Sequence, residues 1–289
     1  MNKILITGST GNVGRPTIEH LLKMGETVKA ATFSIDEAKK VLPKSVEIVE
    51  FDFLKSETYE KALAGVDRVF LMRPPNLGKP EQLAPFVEAM KAHGVKLVAF
   101  LSLMGVENNP IPPHHKIEKL IEKLELPFVH IRPSFFMQNI TGVHAIDIRQ
   151  KDEIYIPAGK SKTSFIDADN IGEAVATVLH SAEKYKNTAH TMTGPEALNY
   201  YQVAAILSEV TGRKIRYAKP SFLSYRNRYI KVYKMAKDYI NVTVMLYLMT
   251  RLGTAKKITT QYQDLTGKKP TTFKDFAIKN KQAFEKTIQ

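Results

Sequence analysis

The 289-residue chain has no cysteine. That absence excludes a disulfide framework, a thiolate nucleophile and any Cys-ligated metal or iron–sulfur centre. It also fits a reducing compartment. Long apolar runs are lacking too. The opening Met1-Asn2-Lys3-Ile4-Leu5-Ile6-Thr7-Gly8 reaches a glycine after a short apolar-rich stretch, whereas an export signal needs a core of about 7–15 apolar residues. The longest apolar-rich stretch, Ile240 to Leu252, is interrupted by Asn241, Thr243, Thr250 and Arg251. It falls short of the roughly 20 residues that cross a bilayer. The expectation is a soluble, cytoplasmic chain without a membrane span. Internal repeats and low-complexity segments are absent, and no HExxH or similar metal-ligand spacing occurs, so no metal is expected.

Net charge is nearly missing from most of the chain. The total is +13, yet residues 213–289 hold 18 Lys and Arg against 4 Asp and Glu, and residues 1–212 hold 24 against 25. The basic quarter can attract an anionic substrate, nucleic acid or a membrane surface, or it can be a solvated helix face. A nucleic-acid role has no supporting motif or aromatic signature.

What is present is alternation. Apolar and β-rich runs at Lys3–Thr7, Thr27–Thr32, Val46–Phe51, Arg68–Met72, Val95–Ser102 and Pro127–Arg132 alternate with helical patterns. The helices are expected over Val13–Met24, Ile35–Leu42, Glu57–Leu63, Pro80–His93 and His114–Leu124. Strands alternating with helices imply βαβ units and a parallel sheet, hence an α/β doubly wound fold of Rossmann type. Past Pro133 the rhythm changes. Short strands are expected at Glu153–Pro157, Thr163–Ile166 and Ala189–Thr193. Helices are expected over Asp169–His180 and Tyr200–Thr211, with mostly helical sequence after Pro220 and a last helix from Thr272. This divides the chain into a nucleotide-binding domain over 1–150 and a small, mostly helical lobe over 151–289, with residues about 163–193 adding elements to the first core.

The sharpest motif is Gly8-Ser9-Thr10-Gly11-Asn12-Val13-Gly14, which leaves a strand and opens a helix. Gly8 allows the sharp turn, Gly11 lets the backbone approach a diphosphate, and Gly14 permits close helix packing. Free N–H groups at the helix start face the negative charge, and Ser9, Thr10 and Asn12 add polar donors. The spacing is GxxGxxG and binds an NAD(P) dinucleotide by the same physics as GxGxxG.

The second strand ends Ala30-Ala31-Thr32-Phe33-Ser34. An acid at that tip selects NAD by binding the ribose hydroxyls. None is present, and Phe33, Ser34 and Lys39 occupy the region, which favours NADP(H) while leaving NAD(H) possible. Asp52 and Phe53 end the third strand, where Asp52 can accept from adenine and Phe53 support the base; Asp52 can equally cap the next helix. Met72 and Arg73 end the fourth strand, ahead of Pro74-Pro75-Asn76, where open α/β sheets bind ligands.

Together with later segments these residues resemble the atypical short-chain dehydrogenase/reductase superfamily, and within it the NmrA-like branch. The further segments are Ile131-Arg132-Pro133-Ser134-Phe135-Phe136-Met137-Gln138-Asn139, Pro157-Ala158-Gly159, Phe165-Ile166-Asp167-Ala168-Asp169-Asn170-Ile171-Gly172, Thr193-Gly194-Pro195-Glu196-Ala197-Leu198 and Leu265-Thr266-Gly267-Lys268-Lys269-Pro270. The resemblance implies a seven-stranded parallel sheet, a helical C-terminal lobe and a nicotinamide end held in the cleft between them. It places Pro133 and Phe135 among the cofactor contacts. Many such proteins reduce quinones or other conjugated electrophiles; others bind the dinucleotide as a redox signal without turnover.

Superfamily members with full acid–base machinery use a Tyr four residues before a Lys, supported by a Ser or Thr. Here Ser102 and Lys116 are present, but the Tyr position is Pro112. Alcohol dehydrogenation and sugar epimerisation are disfavoured accordingly. Lys116 can hold the nicotinamide ribose or donate to a carbonyl. His114, with His115 beside it, can pass a proton near neutrality or simply begin a helix. Phe135, Phe136 and Met137 can form an apolar wall against an electron-poor acceptor, and Asn139 can orient it. Tyr225, Tyr229 and Tyr233 form a helical stripe that either faces the same cleft or packs a core. The reading is an NAD(P)H-dependent reductase of a small, quinone-like acceptor, monomeric or homodimeric, with a non-catalytic dinucleotide sensor as the alternative.

Overall fold

The apolar runs of the first half form parallel strands, since residues buried on both faces cannot alternate with polar ones. A computed structural model describes residues 3–74 and 77–286; Met1, Asn2, Pro75 and Asn76 of the motifs above lie outside them. The strands are β1 (Lys3–Ile6), β2 (Val28–Thr32), β3 (Glu47–Glu50), β4 (Val66–Met72), β5 (Leu97–Leu101), β6 (Phe128–Pro133), β7 (Glu153–Ile154), β8 (Thr188–Met192) and β9 (Arg216–Tyr217). Seven of them build one sheet in the order β3-β2-β1-β4-β5-β6-β8. Every neighbouring pair runs parallel. Strand order reverses between β1 and β4, and ligands of doubly wound sheets bind beyond the carboxyl ends of the strands at such a reversal.

Two compact units emerge. The first takes in Met1–Pro133, Ala168–Met192 and Gln261–Lys268. On one side of its sheet, Phe86, Val87 and Met90 of helix Ala84–Ala92 and Ile117 and Ile121 of helix Pro113–Lys123 pack with Leu5, Val69 and Val98. Burial of each such side chain contributes about 1.5–3 kcal/mol. Helix Gly14–Lys23 packs on helix Ala168–His180 at Gly172, where a Cβ would lie 2.6 Å from Pro16 Cβ and 2.8 Å from the Thr17 nitrogen. Only a residue without a side chain lets these backbones meet.

The second unit takes in Ser134–Asp167, Thr193–Thr260 and Lys269–Gln289. Where the sequence pointed to a change near residue 150, the first unit ends at Pro133. The reason is that Ile140 and Ile148 already pack with Ile154, Ile156 and Phe165 in a second core. The segment Gln261–Lys268 returns to the first unit, where the Tyr262 hydroxyl donates to Glu173 at 2.6 Å. Two expected strands shrink. Glu153–Pro157 keeps only Glu153–Ile154, paired with β9. Thr163–Ile166 is no strand but a pair of isolated bridges, Thr163 to Leu198 and Phe136 to Ile166. Alternating neighbours on different sides leave no continuous ladder there. The helix expected over Pro80–His93 begins as a 3-10 turn at Pro80–Gln82 and continues as Ala84–Ala92.

Tyr225 and Tyr229 belong to this second core and are fully buried. They line no open surface. His144 bridges two hydroxyls, with Nδ1 3.1 Å from Tyr229 and Nε2 2.7 Å from Tyr247. Complete burial pushes its pKa down to about 3, so it is neutral. The buried Asp147 accepts from Tyr229 at 3.1 Å, Tyr233 at 2.7 Å and Arg228 at 2.8 Å. The tyrosine stripe thus supplies the partners that let a carboxylate and an imidazole sit inside.

Candidate functional site

The glycine loop lies at the carboxyl end of β1, on one side of the strand-order reversal. Gly8 has φ +61, open to glycine at little cost, and a Cβ there would meet the Met72 side chain at 2.2 Å. Gly14 is tighter still: a Cβ would lie 2.2 Å from the Gly8 carbonyl oxygen and 2.9 Å from Ser9 Cα. Close packing at Gly14 is therefore against the turn itself, not against the sheet as the sequence suggested. At Gly11 a Cβ would meet only the Gly8 oxygen, at 3.2 Å. A methyl there asks that one oxygen to give by a few tenths of an ångström, far less than the fold demands at Gly14. Helix Gly14–Lys23 starts at Val13 with no side-chain cap; the Arg15 N–H donates to the Gly11 carbonyl at 3.2 Å and Pro16 carries no N–H, which leaves the amides of Asn12, Val13 and Gly14 at the turn. Uncapped amides at a helix start are an anion site.

The side chains of the loop divide. Thr10 and Asn12 are exposed, and Val13 is buried. The Ser9 hydroxyl is buried and donates 2.8 Å to the Ala31 carbonyl. It ties the loop to β2 and is not offered to a ligand, which corrects its assignment as a phosphate donor. Thr7 fastens the other side, donating to Phe70 and accepting from the Met72 N–H, both at 2.9 Å.

Past β2, Phe33 is 69% exposed, and Ser34 caps helix Ile35–Val41 by accepting from the Glu37 N–H. Lys39 stands exposed on that helix, while Lys40 pairs with Glu37 at 2.5 Å. Past β3, Asp52 accepts from the Leu54 N–H at 2.8 Å, closing the local turn, while the next helical turn, Ser56–Thr58, begins at Lys55 without a side-chain cap. Phe53 is 4% exposed, its ring 4.7 Å from Phe51 and 5.5 Å from Phe86. A ring enclosed by its own core presents no face to a base, so that expectation fails.

Past β4, Arg73 donates to the Leu77 carbonyl at 2.6 Å and the Pro74 carbonyl at 3.2 Å. It pairs with no carboxylate among the described residues, its Nε is buried without a partner, and burial lowers its pKa. A buried guanidinium with an orphaned N–H is costly unless an anion completes it. Arg73 also opposes protonation of His114. Burial first, and Arg73 second, push that imidazole down to about 4, and its Nδ1 is buried without a partner. His114 is neutral at pH 7 and cannot serve as the imidazolium acid the sequence suggested.

Ser102 is buried and donates 2.5 Å to Glu118. Glu118 in turn binds Arg132 bidentately, at 2.9 and 2.7 Å, and Arg132 and the Ser102 hydroxyl hold its pKa below the usual range. This corrects the catalytic assignment: the Ser102 hydroxyl is consumed by a carboxylate–guanidinium pair joining helix Pro113–Lys123 to β6. Glu118 and Arg132 went unnoticed in the sequence because a Glu 14 residues before an Arg carries no signal until the fold pairs them. Lys116 stands exposed on the same helix, one turn from its start. Pro133 closes β6, and Phe135 lies in the second unit, stacked 6.0 Å from Tyr247. Met137 is buried there, Phe136 half-buried and Asn139 exposed.

The structure therefore brings together, within one unit, the Gly8–Gly14 loop, Met72, Arg73 and His114. It withdraws Ser9, Phe53 and Ser102. No described helix is long and apolar enough to cross a membrane.

The chain has relatives among known proteins. The chain is 29% identical over 287 residues to an NAD(P)H azoreductase of Xenophilus azovorans, covering 97% of this chain and 99% of the relative. It is 30% identical over 291 residues to prestalk A differentiation protein A of Dictyostelium discoideum, covering 98% and 93%. Among solved structures it superposes on Citrobacter sp. triphenylmethane reductase complexed with NADP(H) with a TM-score of 0.86 and 25% identity, covering 97% of this chain and 99% of that one. The model of the NmrA-like family matches residues 1–277, and the chain belongs to that family.

Proposed function

We propose that this protein is an NADP(H)-dependent reductase that passes a hydride to a quinone-like or other small conjugated acceptor. The observation that carries it is a helix start without a side-chain cap, reached through a turn in which a Cβ at Gly11 would crowd a single backbone oxygen. Backbone amides and the exposed Thr10 and Asn12 would bind the diphosphate, and Arg73 would spend its orphaned N–H on the ligand. The tip of β2 supports the 2′-phosphate: no acid repels it, and Ser34 and Lys39 stand exposed nearby.

The nicotinamide, when bound, supplies the hydride. The chain's own part is binding and orientation. Lys116, exposed at the start of its helix, would hold ribose hydroxyls or polarise an acceptor carbonyl. His114 is neutral and Pro112 replaces the usual Tyr, so the chain offers no strong acid. That suits an acceptor already electron-poor, whose reduced form takes its proton from solvent. The relatives that reduce an azo compound and a triphenylmethane by name point to the same class of extended, conjugated acceptor.

A second reading, a dinucleotide sensor without turnover, is favoured by one feature: Pro112 with a buried, neutral His114 leaves no acid–base pair. NADPH absorbance followed with a panel of quinones and azo dyes, beside calorimetric titration of NADPH and NADH, separates them. Oxidation of NADPH by at least one acceptor supports the reductase. Tight NADPH binding with no oxidation by any acceptor assigns the sensor, and no binding of either dinucleotide removes both.

A further inference from the structure

Helix Lys237–Arg251 of the second unit has two apolar faces. One packs inward: Ile240 and Tyr247 are buried in the unit's core with Val244 beside them. The other is bare. Tyr239, Val242, Met245, Leu246, Leu248 and Leu252 are 36–71% exposed, and the polar positions of that face are Asp238 and Asn241. Ordinary surface helices turn charge outward; this one does the reverse. Val242, Met245, Met249 and Leu252 recur at spacings of 3, 4 and 3, the seam by which one helix receives another.

We infer that this face is a two-fold interface with a second copy of the chain, the two helices antiparallel and crossing between Met245 and Met249. Large apolar side chains offer on the order of 150–250 Å² each, so the six exposed ones present about 500–600 Å² per copy. Doubled, that reaches the lower bound of a specific interface, about 1,200 Å². The seam is symmetric about its midpoint between Met245 and Met249, which an isologous contact needs, because Met245 of one copy then meets Met249 of the other and Val242 meets Leu252. Antiparallel helices oppose their dipoles favourably. An anionic bilayer fits less well. Interfacial helices flank their apolar stripe with Lys and Arg. Arg251, the one cation in this helix beyond Lys237, turns inward to the Pro157 carbonyl at 2.8 Å and the Phe222 ring at 4.2 Å.

Sedimentation of the full chain from 1 to 100 µM, ranges set by ordinary dimer affinities, tests this directly. A dimer is expected, with Met245→Lys weakening association about 100-fold, as a charge placed at the centre of an apolar contact does. Leu223→Lys, exposed but off the seam, leaves it unchanged. Because the chain has no cysteine, cysteines report register independently: oxidation of mixed Met245→Cys and Met249→Cys chains links one to the other, while Leu223→Cys stays unlinked. Met245 and Leu223 are exposed, so their variants keep the parent melting temperature. A monomer throughout the range overturns the inference. So does a dimer indifferent to Met245→Lys, or a monomer that co-sediments with phosphatidylglycerol vesicles and loses that binding in Met245→Lys.

Discussion

Gly14→Ala adds one methyl where the fold has no room. The new carbon would stand 2.2 Å from the Gly8 oxygen, 2.8 Å from the Gly8 carbonyl carbon and 2.9 Å from Ser9 Cα. All three are main-chain atoms, and ordinary carbon contacts need about 3.5–4.0 Å, so the turn and the helix start must part by roughly 1 Å. Overpacking of this kind costs about 1–3 kcal/mol. The better helix propensity of alanine returns at most about 1 kcal/mol, and less at a first helical residue. The expected loss is about 1–2 kcal/mol, a drop of about 2–8 °C in melting temperature for a chain of this size. NADPH affinity falls with it, since the same movement misaligns the amides. Gly11→Ala is the contrast. Its methyl meets a single oxygen at 3.2 Å, so stability stays within about 0.5 kcal/mol of the parent. NADPH binding nonetheless weakens at least about tenfold, or ~1.4 kcal/mol, because the methyl stands where the diphosphate approaches. Gly11→Asp, adding charge to bulk, abolishes it. Thermal unfolding and calorimetric titration read both quantities. A Gly14→Ala protein with parental stability, or a Gly11→Ala protein with parental affinity, refutes the division of roles between the two glycines.

Ser102→Ala should leave kcat for NADPH oxidation within about twofold while lowering stability by about 1–2 kcal/mol, because its hydroxyl serves Glu118; a hundredfold loss of kcat would restore it to catalysis. Glu118→Gln removes the bidentate carboxylate from Arg132, leaving it Glu107 at 3.6 Å, and should cost more, about 2–4 kcal/mol by urea unfolding. His144 and His114 are held neutral when folded, with pKa values of about 3 and about 4. Below the ordinary histidine value of 6.5 the unfolded chain takes up protons that these folded imidazoles refuse. Stability therefore declines as pH falls from 6.5 toward 4 and 3, each contributing up to about 1.4 kcal/mol per pH unit. His144→Leu should flatten that slope and weaken the fold at pH 7 by about 1–3 kcal/mol, since it strips one hydrogen bond from each of the buried Tyr229 and Tyr247 hydroxyls. The rate of NADPH oxidation should show no limb near pH 6.5 from His114, and its appearance in the parent and loss in His114→Ala would place that imidazole back in the reaction.

By itself, the sequence determined what depends on local chemistry and on periodicity. Alternating apolar runs and helical patterns set the βαβ order, and the buried runs of β1 and β5 set a parallel sheet. Gly8-Ser9-Thr10-Gly11-Asn12-Val13-Gly14 located the glycine turn between β1 and the first helix, because a turn of that kind needs glycine within a few residues of a strand end. Thr272, the N-cap of helix Phe273–Lys279, was legible for the same reason. What tertiary structure alone decided is how each polar side chain is spent. Ser9, Ser102 and His114 have the right chemistry in the right stretch of chain. Yet the Ala31 carbonyl, 22 residues away, takes the first, and Glu118, 16 residues away, takes the second. Burial beside Arg73 neutralises the third. Phe53 went to the core, the tyrosine stripe turned inward to Asp147 and His144, and one helix was left with an apolar face outside. A side chain's hydrogen bonds and solvent exposure depend on neighbours brought from distant segments, and spacing along the chain carries no record of them.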